Sequence, residues 1–244
     1  MVDEATPEPT PIPPPEDFDQ TLAEANLQLE PRERVMLGEY LGMLVAANAR
    51  MNLTRIVEPG EAWQRHVLDA LTLLPFIEAA QGGNLLDLGS GGGLPGLVLA
   101  ITRPDLPVTL LEATLKKARF LQETAVALGL ENVTVLSERA ESLGTPEGGG
   151  RDGWDLVTAR AVAPMPVLLE LALPLVVPDG YLLAIKGQRA HEEIDASRNA
   201  LRQLRASVET THRTATGTIV VVRRDGPIPR RFPRRPGEPG RQPL

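Results

Sequence analysis

The chain has no cysteine among its 244 residues, which excludes disulfides, thiolate zinc or iron–sulfur sites, and a thiol nucleophile of the kind that attacks a pyrimidine ring. Its three histidines, His66, His191 and His212, lie far apart without ligand spacing. No metal site is expected. Aromatic residues make up only 3%, yet 42% hydrophobic residues suffice for the core of one α/β domain with appendages. No apolar run of about 18 residues is free of charge, so no helical membrane span is expected. Residues 1–19 are acidic and proline-rich rather than basic then apolar, so they do not read as a secretory signal. A cytoplasmic protein is expected.

The formal net charge of −7 hides an asymmetry. Residues 1–33 carry nine acids against Arg32, a balance of −8, which leaves the remainder near +1. Residues 223–241 carry seven arginines against Asp225 and Glu238, a balance of +5. Such a segment suits phosphate contacts, since arginine offers a bidentate fork. A solvated tail that only aids solubility has the same composition. Four segments are expected. Residues 1–20 form an acidic tail, disordered or loosely extended because six prolines between Pro7 and Pro15 allow neither helix nor core. Residues 21–80 form a helical subdomain, with helices near 31–49 and 58–79 joined by the connector MNLTRI at 51–56. Residues 81–224 bind the cofactor, and 225–244 form a basic, proline-rich tail.

Residues 84–96, NLLDLGSGGGLPG, carry the strongest chemical signal. An apolar run suited to a buried strand passes into Gly89, Gly91, Gly92, Gly93 and Gly96, which permit positive φ and close approach of backbone to a ligand. A helix then starts near Leu94 with Pro95 in its first turn, so free amides face a positive helix end. Gly91, Gly93 and Gly96 satisfy G-x-G-x-x-G, which alone is weak support for a dinucleotide. Asp87 changes the balance, because an anion at the strand end repels a pyrophosphate and suits the ammonium of S-adenosylmethionine. Glu112 ends the next apolar run at the spacing where an acid takes a ribose hydroxyl pair. A glycine-rich connection with no ligand is the bland alternative.

From residue 84 onward strands alternate with helices, the pattern of a parallel sheet covered on both faces. Strands are expected near 84–89, 107–112, 133–137, 154–160, 180–187, 206–213 and 217–223, and helices near 94–102, 114–129, 139–143, 164–175 and 190–204. Only residues 214–216 separate the last two strands, so they pair antiparallel as a hairpin. Ligands in such sheets bind outside the carboxyl ends of the strands. That singles out Asp87, Glu112, Arg160 and Lys186, with Ala140 and Glu141 placed to read an adenine edge. Arg160 follows a strand of buried character, where an unpaired guanidinium is costly. Its structural alternative is an ion pair with Asp87 or Glu112, and Lys186 could simply snorkel to water.

Taken together, residues 84–96, the upstream MNLTRI and RHVLDAL, the downstream VTARAVAP and YLLAIKGQ, and the tail PIPRRFPRRPGEPGRQPL resemble the RsmG family of bacterial 16S rRNA guanine-N7 methyltransferases, also called glucose-inhibited division protein B. The motifs occur in order over about residues 31–244. The resemblance implies a class I (Rossmann-like) α/β fold, with a seven-stranded, mostly parallel sheet, one antiparallel strand and an N-terminal helical subdomain. It implies S-adenosylmethionine as donor and one guanine N7 near the decoding centre as acceptor, on 16S rRNA or the 30S subunit. A monomer is expected. Cofactor contacts carry over onto Gly89, Leu94, Glu112, Ala113, Thr114, Ala140, Glu141 and Arg160, beside Asp87, Gly91 and Gly93, which the loop itself singles out. The resemblance makes Asn52, Thr54, His66 and Asp69 candidates for shaping the pocket or the RNA face, and Arg230, Arg231, Arg234 and Arg235 are candidates for the RNA face. A core histidine is the alternative for His66. The family commonly has serine where Ala70 stands and tyrosine where Phe232 stands.

Guanine N7 carries an in-plane lone pair and no proton at neutral pH, so methyl transfer needs alignment rather than a general base. Arg160 and Lys186 are therefore expected to orient the base or hold phosphate. Two other readings remain. One is an NAD-dependent oxidoreductase, disfavoured by Asp87 and the lack of an evident hydride-handling residue. The other is a catalytically silent RNA-binding or assembly factor on the same fold.

Overall fold

In the computed structural model, which describes residues 9–244, seven strands form one sheet in the order β3-β2-β1-β4-β5-β7-β6. They are β1 (Leu85–Leu88), β2 (Val108–Leu111), β3 (Val133–Leu136), β4 (Trp154–Arg160), β5 (Val176–Lys186), β6 (Ala206–Arg213) and β7 (Thr218–Arg224). The first five run parallel, and β7 is antiparallel to both β5 and β6. This is the expected class I fold. All four residues of β1 are buried, as a central strand covered on both faces requires.

Helices α1 (Phe18–Glu24), α2 (Pro31–Met51), α3 (Pro59–Ala62), α4 (Asp69–Leu71) and α5 (Leu74–Ala80) precede the sheet. Along its length come α6 (Gly96–Thr102), α7 (Leu115–Ala127), α8 (Ala140–Leu143), α9 (Met165–Ala172), α10 (Ala190–Ala196), α11 (Arg198–Leu204) and α12 (Glu238–Arg241). One apolar cluster joins Leu37, Tyr40, Leu44 and Trp63 of the N-terminal helices to Leu97 and Leu121. A second joins Leu168, Leu204, Ile228 and Phe232 on the opposite face. The N-terminal helices thus lie over the glycine loop, and the C-terminal segment closes the other layer.

Three expectations are corrected. The single helix over 58–79 is instead α3, a π-helical stretch (Trp63–Leu68), α4 and α5. Pro75 in the first turn of α5 lacks an N–H and clashes with a preceding helical carbonyl, so the helix restarts there. The unpacked tail over 1–20 is wrong from residue 9 onward, while residues 1–8 lie outside those described. Proline prevents helix at 11–15 but leaves an extended strap: Ile12 N–H donates to Gly38 O (3.0 Å), and Trp63 Nε1 donates to Ile12 O (3.1 Å). Gly38 and Gly42 are required beneath it, because a Cβ on Gly38 would lie 2.8 Å from Ile12 O. Phe18 then inserts edge-on against Trp63 at 5.0 Å.

The third correction concerns Arg234 in the basic segment over residues 225–244, which lies packed along the protein. Arg151 donates to Phe232 O (2.7 Å) and Ile228 O (2.6 Å), and the carboxylate of Glu170, fully buried, takes the Arg234 side chain. Arg224 is buried on Asp152 and the Val176 carbonyl. Among the RNA candidates Arg234 is therefore turned inward. Arg230, Arg231 and Arg235 stay exposed, with the Arg231 guanidinium 4.9 Å over the Phe232 ring. Composition counted the charges correctly but carried no sign of the internal acceptors that claim two of them.

Candidate active site

The glycine loop leaves β1 and is held from three sides. Gly89, Gly91 and Gly93 take φ of 71°, 56° and 99°, left-handed conformations that other residues adopt only with strain. Gly89 and Ser90 amides donate to Leu111 O at the end of β2 (2.8 and 3.1 Å), and the buried Tyr40 hydroxyl donates to Gly92 O (2.9 Å). Glu112 accepts from Gly91 N–H (3.0 Å) through one oxygen and from Thr114 N–H (2.7 Å) through the other. Two backbone bonds fix the direction of that carboxylate at the strand end. Leu94, Ala113 and Thr114 flank it, the latter two exposed.

Asp87 is placed differently from the sequence expectation. Its carboxylate lies beneath the loop, 1% exposed, accepting from Gly96 N–H (3.1 Å) and the Thr158 hydroxyl (3.2 Å). Burial pushes its pKa up to about 6. It fastens the loop to the start of α6 and does not present an anion to a ligand. Glu141 is also engaged elsewhere, since its Oε1 accepts from Gly237 N–H (2.9 Å) in the C-terminal segment. An oxygen expected at an adenine edge thus braces α12, while Ala140 opens α8 beside it.

At the end of β4 the Arg160 guanidinium donates to Arg65 O (2.7 Å) and to His66 Nδ1 (3.0 Å). Neither Asp87 nor Glu112 is its partner. With Nδ1 accepting, His66 carries its proton on Nε2 and donates to the Thr54 hydroxyl (2.9 Å). Burial first, and then the nearby Arg160 charge, lower the His66 pKa to about 4, so the ring is neutral. Thr54 in turn accepts from Ile56 N–H, and its own amide donates to Asn48 Oδ1. His66 and Thr54 are therefore turned into the protein and lock the connector onto the π-helical stretch. Of the two roles expected for them, these bonds favour shaping the pocket and not RNA contact, whereas Asn52 remains exposed at the end of α2.

Lys186 ends β5 with Nζ on Ala163 O (2.7 Å) and on Glu193 Oε2 (2.8 Å), so it does not snorkel to water. Arg160, Lys186 and Glu193 line a cleft of about 390 Å³ together with Arg65, Asp69, residues 161–164, Ile185, Gly187 and Thr216. The cleft and the glycine loop share a wall, because Val162 Cγ2 would lie 2.9 Å from a Cβ placed on Gly89. Sequence reasoning missed Tyr40, Glu193 and Thr216. Tyr40 had a signal, being one of two tyrosines and on the apolar face of α2 with Leu37 and Leu44. Thr216 had none.

A family model described as GidB, rRNA small subunit methyltransferase G, matches residues 34–220. A Sorangium cellulosum protein named ribosomal RNA small subunit methyltransferase G is 50% identical over 226 residues, covering 92% of this chain and 94% of its own. The Bacillus subtilis protein of the same name is 36% identical, covering 94% and 98%. Among solved structures, a putative O-methyltransferase from Klebsiella pneumoniae has a TM-score of 0.56 at 18% identity, over 86% of this chain and 96% of that one. An O-methyltransferase from Bacillus cereus in complex with SAH has 0.54 at 20%, over 84% and 96%. At these identities the two structures speak for the fold alone.

Proposed function

Since the chain belongs to the rRNA small subunit methyltransferase G family, we propose that it moves a methyl group from S-adenosylmethionine to guanine N7 in 16S rRNA. The observation that carries this reading is the shared wall between the glycine loop and the cleft. One compartment is built for a nucleoside-bearing donor, and the other adjoins it at the place where a base must present its reacting atom.

The residues fit the donor. Glu112, oriented by the Gly91 and Thr114 amides, would take the ribose hydroxyls, and the backbone of Gly89, Gly91 and Gly93 leaves room for the amino-acid end. Leu94, Ala113 and Ala140 would flank the nucleoside. When bound, S-adenosylmethionine supplies an electrophilic methyl group. The chain's own residues hold the base in line, and none of them needs to remove a proton. Arg160 is fixed by neutral acceptors, and Lys186 is neutralised by Glu193. The cleft therefore opposes a cationic product less than two unpaired cations would.

For the RNA, exposed Arg50, Arg55, Lys116, Arg139, Arg189 and Arg213 border the carboxyl edge of the sheet, with Arg230, Arg231 and Arg235 farther off. These would contact phosphate. The test is transfer of labelled methyl to 30S subunits with Arg160→Ala and Glu112→Ala variants. Arg160→Ala should bind the donor normally by calorimetry and transfer at least ~100-fold more slowly, as for a lost oriented contact. Glu112→Ala should lose donor affinity. Unchanged turnover in the first, or unchanged affinity in the second, removes that residue from the site.

A further inference from the structure

We propose that Asp69 reads the Watson–Crick edge of the target guanine and strengthens its hold as the methyl group arrives. The inference rests on the reading that the cleft takes a guanine. Most of the cleft's polar groups already have partners inside the protein. Arg160 is held by Arg65 O and His66, Lys186 by Glu193 and Ala163 O, Glu193 by Lys186 and Met165 N–H, and Arg65 by Glu61. Asp69 differs. Its Oδ1 accepts from the Thr216 hydroxyl, and its Oδ2 has no hydrogen-bond partner among the described residues. The residue is 8% exposed and lines the cleft, so its unpartnered oxygen is available to a ligand there.

Placement agrees with this role. Val162, at the glycine-loop end of the cleft, follows β4, whereas Thr216 joins β6 to β7, and β5 lies between them. Two strand intervals of about 4.8 Å each separate β4 from β7, so Val162 and Thr216 stand far enough apart for a planar base to lie between them. A guanine with N7 toward the loop points its N1–H and N2–H groups to the opposite end. Those are two adjacent donors, and a carboxylate, which only accepts, matches them. Adenine offers one donor and one acceptor on that edge and does not match.

The same contact aids the reaction. Methylation leaves the base cationic and sharpens its N1–H and N2–H as donors, so a facing carboxylate binds the transition state more tightly than the ground state. Burial raises the Asp69 pKa to about 6, with the Arg160 and Arg65 charges opposing the rise, so the group is ionised at pH 7.5 and above. The Thr216 hydroxyl fixes one oxygen and thereby the plane of the carboxylate.

The test substitutes the substrate as well as the protein. Full-length wild type, Asp69→Asn and Thr216→Val would be assayed on 30S subunits reconstituted with 16S rRNA carrying guanosine or inosine at the modified position. Inosine keeps N7, O6 and N1–H but lacks the N2 amine. Wild type should lose about 10- to 100-fold in kcat/KM on inosine, the worth of a hydrogen bond to a charged group. Asp69→Asn should lose a similar factor on guanosine, with a further inosine penalty below about 3-fold, while donor affinity by calorimetry stays unchanged. Thr216→Val should fall between the two. If wild type treats both bases alike, or if the inosine penalty persists in full in Asp69→Asn, Asp69 does not read that edge. The first comparison needs no variant, so misfolding cannot obscure it. Failure of wild type on guanosine itself removes the proposed function, and this inference with it.

Discussion

Replacing Arg234 by alanine should unfold the protein more readily without loosening its grip on RNA. Glu170 is fully buried, and its carboxylate accepts from Arg234 N–H (2.9 Å), Nε (2.8 and 3.1 Å) and Nη2 (2.5 Å). The substitution leaves one backbone donor on a buried anion. Breaking a buried pair from one side costs about 3–5 kcal/mol, because the remaining charge is uncompensated. At roughly 2–4 °C per kcal/mol for a chain of this size, the melting temperature should fall by about 6–20 °C. Replacing both partners, Arg234→Met with Glu170→Leu, should recover most of the loss, since no charge is then stranded. Thermal and urea denaturation measure the first effect, and RNA affinity against salt concentration measures the second. The salt slope should change by less than one phosphate contact. A cost below about 1 kcal/mol with a slope reduced by about one contact would refute the reasoning and return this arginine to the RNA face.

Gly96→Ala should abolish donor binding in calorimetry, because the new Cβ would strike Leu110 Cδ2 and lie 2.7 Å from Asp87 Oδ2. Wild-type affinity would show that the loop is not held from beneath. Asp87→Asn should change how stability varies with pH. The folded state raises this acid from 3.8 to about 6, so its contribution is fully present below about pH 4 and is lost as pH rises through about 6. In urea midpoints, the difference between wild type and variant should shift in the variant's favour across that window and level off above it. Parallel curves would contradict the assignment.

Residues 84–88 and 108–111 were legible as strands because parallel strands buried on both faces read as short apolar runs bounded by turn residues. The hairpin of β6 and β7 followed from the three residues between its expected strands. Functional residues at strand ends were legible for the same topological reason, but their directions were not. Asp87 and Glu112 are both acids that close a strand or follow it directly. One faces down to Gly96 and the other up to Gly91, a difference set by which backbone amides lie within reach. The break of the 58–79 helix had a signal in Pro75, but the π-helical stretch that aims His66 and Asp69 had none, because register inside a helix is settled by tertiary contacts. The terminal segments misled for a related reason. Proline and charge disfavour long regular elements, but they do not forbid packing when a neighbour supplies Gly38 or Glu170.

The central claim is that this chain places one guanine N7 of the small-subunit rRNA against a methyl donor. The most direct measurement incubates wild-type protein with unmodified 30S subunits and isotopically labelled S-adenosylmethionine, then digests the 16S rRNA and locates the label by mass spectrometry. A single labelled 7-methylguanosine near the decoding centre is the expected result. No incorporation, or label on a different base or on an exocyclic nitrogen, would contradict it.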